Sequence, residues 1–115
     1  MNKTYSRAAE SACRKATHGS YRVGCVAFRG GSVIGIGHNG RDKTHTISRS
    51  RFRKLHAEED LIRRVDLRGA SVFVTRLNKS GPAMAKPCET CEAALREAGV
   101  KRIFYTDRCG NVRRI

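Results

Sequence analysis

Hydrophobic and polar positions change period several times along this chain, and each change marks an element. Residues 4–17 place Tyr5, Ala8, Ala9, Ala12, Cys13 and Ala16 at helical spacing, with His18-Gly19 as the stop. "RVGCVAFR" (22–29) reads as a strand, Gly30-Gly31 as a tight hairpin turn, and "SVIGIGH" (32–38) as the returning strand. The glycines of that second strand imply that another element packs close against its backbone. Residues 39–55 have no clear period and read as a loop long enough to be functional. "AEEDLIRRV" (57–65) puts Ala57, Leu61, Ile62 and Val65 on one helix face, and "ASVFVTR" (70–76) is a buried strand.

Residues 77–86 read as a loop, and "PCETCEAALREAG" (87–99) as a helix with Pro87 near its first turn and Gly99 at its end. "KRIFYT" (101–106) is a strand, "DRCG" (107–110) a turn, and "NVRRI" (111–115) a short last strand. The order α-β-β-α-β-α-β, with that final strand, predicts an α/β fold with helices covering a mixed sheet. The strand-helix-strand unit over 70–106 predicts a parallel pair joined by a right-handed crossover.

With 115 residues the expectation is one domain spanning 1–115. No apolar run approaches the roughly 20 residues of a membrane helix. The N-terminal residues are charged throughout and carry no apolar block of a secretory signal, so a cytoplasmic location is expected. Net charge is +14, from 24 Lys and Arg against 10 Asp and Glu. An excess of that size favours polyanionic partners such as nucleic acid or a nucleotide phosphate. The five cysteines (13, 25, 88, 91 and 109) are an odd number, and no secretion signal accompanies them, so a disulfide framework is not expected. Cys13 and Cys25 lie among apolar residues and read as small packed hydrophobes.

Cys88 and Cys91 need another explanation. Spaced three apart at a helix start, they share one face, and the positive end of the helix favours thiolate. His56, two residues before Glu58, opens the preceding helix. One imidazole and two thiolates suit zinc and leave a fourth position for water or hydroxide, with Glu58 beside it as an acid/base group. A redox Cys-x-x-Cys pair is one alternative. Another is a closed structural zinc site, with Cys25, His38, His45 or Cys109 as fourth ligand. Glu58, like Glu59 and Asp60, can also be a first-turn acid favoured by the helix dipole.

"HAE" (56–58) followed by "PCETC" (87–91) resembles the zinc-dependent cytidine and deoxycytidylate deaminase superfamily, which includes the tRNA adenosine deaminases. "VGCVAFRGGSVIGIGHNG" is similar to the family's opening hairpin, and "SVFVTR" and "VKRIFYT" to its third and fourth strands, so the likeness covers roughly residues 4–106. It implies a three-layer cytidine-deaminase-like fold with a sheet of about five strands. It also implies His56, Cys88 and Cys91 as ligands of one Zn²⁺ per chain, a water or hydroxide as fourth ligand, and Glu58 as proton shuttle. Asn39 and the backbone of Ala57 would contact the substrate. The chemistry implied is hydrolytic: cytosine becomes uracil with loss of ammonia, or adenine reacts likewise at C6. The chain departs from the family pattern in three places. Residues 77–86 intervene before Pro87 and can form a lip over the pocket. "TDRCGNVRRI" reads as a hairpin return, which makes the last strand antiparallel, as in the branch of free-cytidine deaminases and several deaminase toxins. That branch usually has Cys where this chain has His56.

The segment 39–55 carries Arg41, Lys43, Arg49, Arg51, Arg53 and Lys54 against Asp42 alone, and leads directly into His56. Phe52 and His45 can stack on a base. Arg41, Lys43, Phe52 and Arg53 are therefore candidate substrate contacts. The expected partner is a cytosine-containing nucleotide or a single-stranded nucleic acid. Action on free deoxycytidylate or cytidine only, and action on adenosine in RNA, stand as alternatives. A non-enzymatic, zinc-stabilised nucleic-acid-binding module is the third. Relatives assemble as dimers or tetramers, so a homo-oligomer is compatible with the resemblance.

Overall fold

The computed structural model describes residues 22–39, 57–78 and 81–115, together with Arg7, Ala9 and Ser11. Those three are helical, in agreement with the spacing over 4–17; the rest of that predicted helix and its stop lie outside the described residues.

β1 (Arg22–Arg29) and β2 (Ser32–His38) form an antiparallel hairpin. Gly30 and Gly31 turn it with φ of 60° and 82°. Two successive left-handed residues make the tight turn whose twist matches that of the strands, and only glycine adopts it without strain. β3 (Ser71–Asn78) pairs antiparallel on the other side of β1. β5 (Arg102–Thr106) then runs parallel to β3, and β6 (Val112–Arg114) antiparallel to β5. The strand order is β2-β1-β3-β5-β6, a mixed five-strand path with an antiparallel last strand, as expected. Asp107 holds the final return. One of its carboxylate oxygens accepts the N–H groups of Cys109 and Asn111, each at 2.9 Å, and the other accepts Arg113 Nε at 3.0 Å.

One expectation is corrected. Residues 77–86 are not simply a loop: β3 continues through Asn78, and β4 (Gly81–Pro82) folds back beside it, pairing Leu77 with Pro82. Ala83 N–H then donates to Arg76 O at 3.0 Å and Ala85 N–H to Thr106 O at 2.9 Å. Ala83, Ala85 and Pro87 point inward while Met84, Lys86 and Cys88 are exposed, the alternation of an extended segment. Alanines carry that alternation too weakly for a hydrophobic pattern to reveal it.

Alternation along the long strands sorts the core into two faces. Cys25, Ala27, Val72, Val74 and Ile103 point to one face, where they meet Leu61 of α1 (Ala57–Arg64) and Leu95 of α2 (Glu89–Glu97). Val26 and Phe73 point to the other, against Ala9, with the Phe28 and Phe104 rings stacked at 6.4 Å. Helical residues on both faces make three layers. Burying each leucine or isoleucine contributes roughly 1.5–3 kcal/mol. α2 ends as its sequence indicates: Gly99 adopts φ 98°, and Val100 N–H reaches back to Leu95 O at 3.1 Å.

Candidate active site

The C-terminal ends of β2, β3 and β5 lie at one end of the sheet, because β1 pairs Val23 with Arg76 of β3 while Asn39 N–H donates to Val23 O. α1 and α2 both begin at this end. In open α/β sheets the crevice outside the carboxyl ends of the strands is where ligands bind.

The start of α1 is pressed onto the hairpin. The Cys25 thiol donates to Ala57 O at 3.2 Å, and a β-carbon on Gly37 would stand 2.6 Å from that same oxygen. A β-carbon on Gly35 would run into the Val65 side chain. The two glycines of β2 therefore serve the close approach that the sequence implied. Burial, then the carboxylates of Glu58 and Asp60, push the Cys25 thiol well above its ordinary pKa, so it acts as a donor. Cys25 is thus more than the small hydrophobe expected.

Ala57 and Glu58 are buried, Glu58 to 5% exposure. An acid with no role beyond the helix dipole would lie in water, as surface acids do. Cys88 sits one residue ahead of α2 as its N-cap, extended at φ −67° and ψ 165°, and its side chain is exposed. Cys91 follows in the first turn at 3% exposure. Its thiol pKa is raised by burial first, then by the Glu58 carboxylate, then by a hydrogen bond with the Cys88 side chain. Glu58 and Cys88 are thus both near enough to Cys91 to act on its thiol. Desolvation and the neighbouring carboxylate act on this thiol against the pull of the helix dipole. A cation binding there must displace the thiol protons.

Asn39 closes β2 at 9% exposure. Its side-chain oxygen accepts Val23 N–H at 2.9 Å, which fixes the amide. His56, Arg41, Lys43, Phe52 and Arg53 lie outside the described residues, as do His45, Arg49, Arg51 and Lys54. Among the described residues, no group of three His, Cys, Asp or Glu side chains is gathered closely enough to hold a metal ion. The two sulfurs are the described part of the expected donor set, and His56 directly precedes Ala57 in the sequence.

Asp60 is the residue that sequence reasoning undervalued. It is 2% exposed, not a solvated first-turn acid. Its Oδ2 accepts His38 N–H at 3.2 Å, and Arg64 holds both carboxylate oxygens at 3.2 Å. Arg64 also donates to Ile36 O. The four-residue spacing of Asp60 and Arg64 was a visible signal, but its target on β2 was not.

Comparison with known proteins bears on the fold and the family. The family described as "cytidine and deoxycytidylate deaminase zinc-binding region" matches residues 1–107. No curated protein matches the chain. The solved dCMP deaminase of cyanophage S-TIM5, in apo form, shares the fold at TM-score 0.70 and 24% identity, over 91% of this chain and 81% of that one. Its complex with dCMP and dUMP is equally similar, over 79% of that chain. Cytidine deaminase of Mycobacterium leprae aligns at TM-score 0.60 and 22% identity, over 97% of this chain and 91% of that one. At such identities the structural likeness speaks for the fold, and the match over residues 1–107 decides the family: this chain belongs to the cytidine and deoxycytidylate deaminases.

Proposed function

We propose that this protein is a zinc-dependent hydrolytic deaminase that converts cytosine to uracil in a nucleotide or a single-stranded nucleic acid. The observation that carries the reading is the buried Glu58 carboxylate set against Cys91, with Cys88 one turn away at the start of α2. Two sulfurs and an imidazole fit zinc, and His56, Cys88 and Cys91 would hold it. Zinc in that place supplies hydroxide near neutral pH by lowering the pKa of water.

The remaining chemistry belongs to the chain. Glu58 accepts a proton from the attacking water and returns one to ring N3 as the oxygen adds to C4. Glu58 then takes the proton of the new C4 hydroxyl and passes it to the amino nitrogen; the C4–N bond breaks as the C4=O bond forms, and ammonia leaves. Burial of Glu58 favours this work, since a carboxylate held out of water needs little reorganisation as protons move. Asn39, its side chain held by Val23 N–H, meets the base or sugar. A solved structural neighbour in complex with dCMP and dUMP supports a nucleotide as substrate class. The +14 charge supports a polymeric one.

The test is release of ammonia and uracil from cytidine, deoxycytidylate, single-stranded DNA and RNA. The parent and Glu58→Gln are compared at equal zinc content. The variant is expected to lose about 10²–10⁴-fold in rate. Equal rates in the two proteins, or no turnover of any substrate, rule the reading out. Binding of nucleic acid by both, without turnover, would instead favour a zinc-stabilised binding module.

A further inference from the structure

We propose that Asp60 is a positioning residue that locks the relation between Glu58 and Asn39, with Arg64 as its partner. The inference rests on the reading that Glu58 and Asn39 serve one substrate. β2 is an edge strand, so alternate backbone groups point away from β1. Asn39 faces β1, exchanging bonds with Val23, which leaves His38 N–H and Ile36 C=O on the outer side. α1 supplies the missing partners: Asp60 takes His38 N–H at 3.2 Å, and Arg64 donates to Ile36 O. An acceptor and a donor one helical turn apart do here what a further strand would do.

The consequence is geometric. Glu58 lies two residues before Asp60 on α1, and Asn39 directly follows His38 on β2. The Asp60–His38 bond therefore joins the helix turn that carries the proton shuttle to the strand end that carries the proposed substrate contact. The Asp60 side chain is 2% exposed and that of Arg64 42%, so the bond is shielded from water and the guanidinium closes its outer side. Without the carboxylate, helix and strand end are joined by way of β1, through Cys25 to Ala57 and Val23 to Asn39, and by packing at Gly37. Displacements of about 1 Å away from the reacting atoms can cost on the order of 100-fold in rate.

Asp60→Ala, Asp60→Asn and Arg64→Ala test this, each in full-length protein at matched zinc content and well below its melting temperature. Two measurements are made: steady-state kinetics, giving kcat and KM for deoxycytidylate or for whichever substrate the parent turns over, and the side-chain amide NMR signal of Asn39. Asp60→Ala is expected to lower kcat/KM by about 10–100-fold, mostly in kcat, and to shift the Asn39 signal. Asp60→Asn retains an oxygen for His38 N–H and is expected to recover most of both. Arg64→Ala, which leaves the core intact, is expected to shift the signal in the same direction by less. Should Asp60→Ala not fold, the other two variants decide. Lower melting temperatures with unchanged kcat, KM and Asn39 signal would make Asp60 merely structural and overturn the proposal. If the parent deaminates nothing, the functional reading fails, while the Asn39 signal still reports whether Asp60 positions it.

Discussion

The thiol of Cys25, in the middle of β1, donates a hydrogen bond across 3.2 Å to the carbonyl oxygen of Ala57, the first residue of α1. That carbonyl directly precedes Glu58 in the chain, so a core strand holds the backbone next to the proposed proton shuttle. Cys25→Ala removes the donor and leaves a small void at a fully buried position. The expected loss is about 1–3 kcal/mol, from an unsatisfied carbonyl and lost packing. Cys25→Ser keeps a donor and should lose less. Urea denaturation measures both, and a Cys25→Ala protein as stable as the parent would show that the thiol only fills space.

Gly37 makes the second contact with that carbonyl. A methyl group placed there would sit 2.6 Å from Ala57 O and 3.1 Å from Leu61 N, both backbone atoms that no rotamer change can move. Gly37→Ala must therefore lift α1 off the sheet, at a cost of about 1–3 kcal/mol. Activity should fall further than the loss of folded protein explains, because the lifted turn carries Glu58. A variant with parental melting temperature and parental rate would contradict this packing.

Much of this was legible in the sequence because the signals were local. The alternation of β1 and β3, the Gly30-Gly31 turn, the Gly99 helix end and the Cys88/Cys91 spacing each depend on a few adjacent residues. The Gly35 and Gly37 pair announced a close approach without saying by what. β4 was not legible: Gly81 and Pro82 pair with β3 through its backbone, and Ala83 and Ala85 alternate without hydrophobic contrast. Asp60 was not legible either, since nothing in "HAEEDL" tells a solvated first-turn acid from one that reaches an edge strand 22 residues away in sequence.

Exposure of the sulfurs gives a test of the metal site that does not depend on turnover. Cys88 and Cys109 are exposed, whereas Cys25 and Cys91 are buried. In protein stripped of metal by a chelator, iodoacetamide should alkylate Cys88 and Cys109. After zinc is restored, Cys88 should be protected while Cys109 reacts as before, and mass spectrometry of peptides reads both. Zinc at 100 times its Kd should also stabilise the fold by about 2.7 kcal/mol. Equal labelling of Cys88 with and without zinc would remove it from the ligand set.

The Asp107 turn should set part of the acid sensitivity. Its carboxyl is held below the usual range, chiefly by Asn111 N–H, and by Arg113 and Cys109 N–H as well. A depressed carboxyl contributes stability above its unfolded pKa of about 3.9, and that contribution is lost as pH falls through the lower folded value. Asp107→Asn lacks the titrating charge. It should be less stable than the parent at neutral pH, and the gap between their urea midpoints should narrow as pH falls below the unfolded carboxyl value of about 3.9. A gap that stays constant as the carboxyl is titrated would mean that the ionised form of Asp107 contributes nothing.

Salt dependence distinguishes a polymeric substrate from a free nucleotide. Each phosphate neutralised on a single strand releases condensed counterions, and log K falls with log salt by about 0.7 per phosphate. The protein carries +14, far more than one monophosphate requires. If the surface tracks a nucleic-acid backbone through four or five contacts, the slope for a cytosine-containing single strand should be about −3. Deoxycytidylate, with one phosphate, should give a slope of about −1 or shallower. Fluorescence anisotropy with labelled single-stranded DNA and RNA supplies the first slope, and the salt dependence of KM for deoxycytidylate the second. Steep polymer binding together with turnover in the polymer assigns the basic surface to substrate. Rapid turnover of deoxycytidylate, with untouched polymers and a shallow slope, assigns the enzyme to free nucleotides and leaves the excess charge to another role.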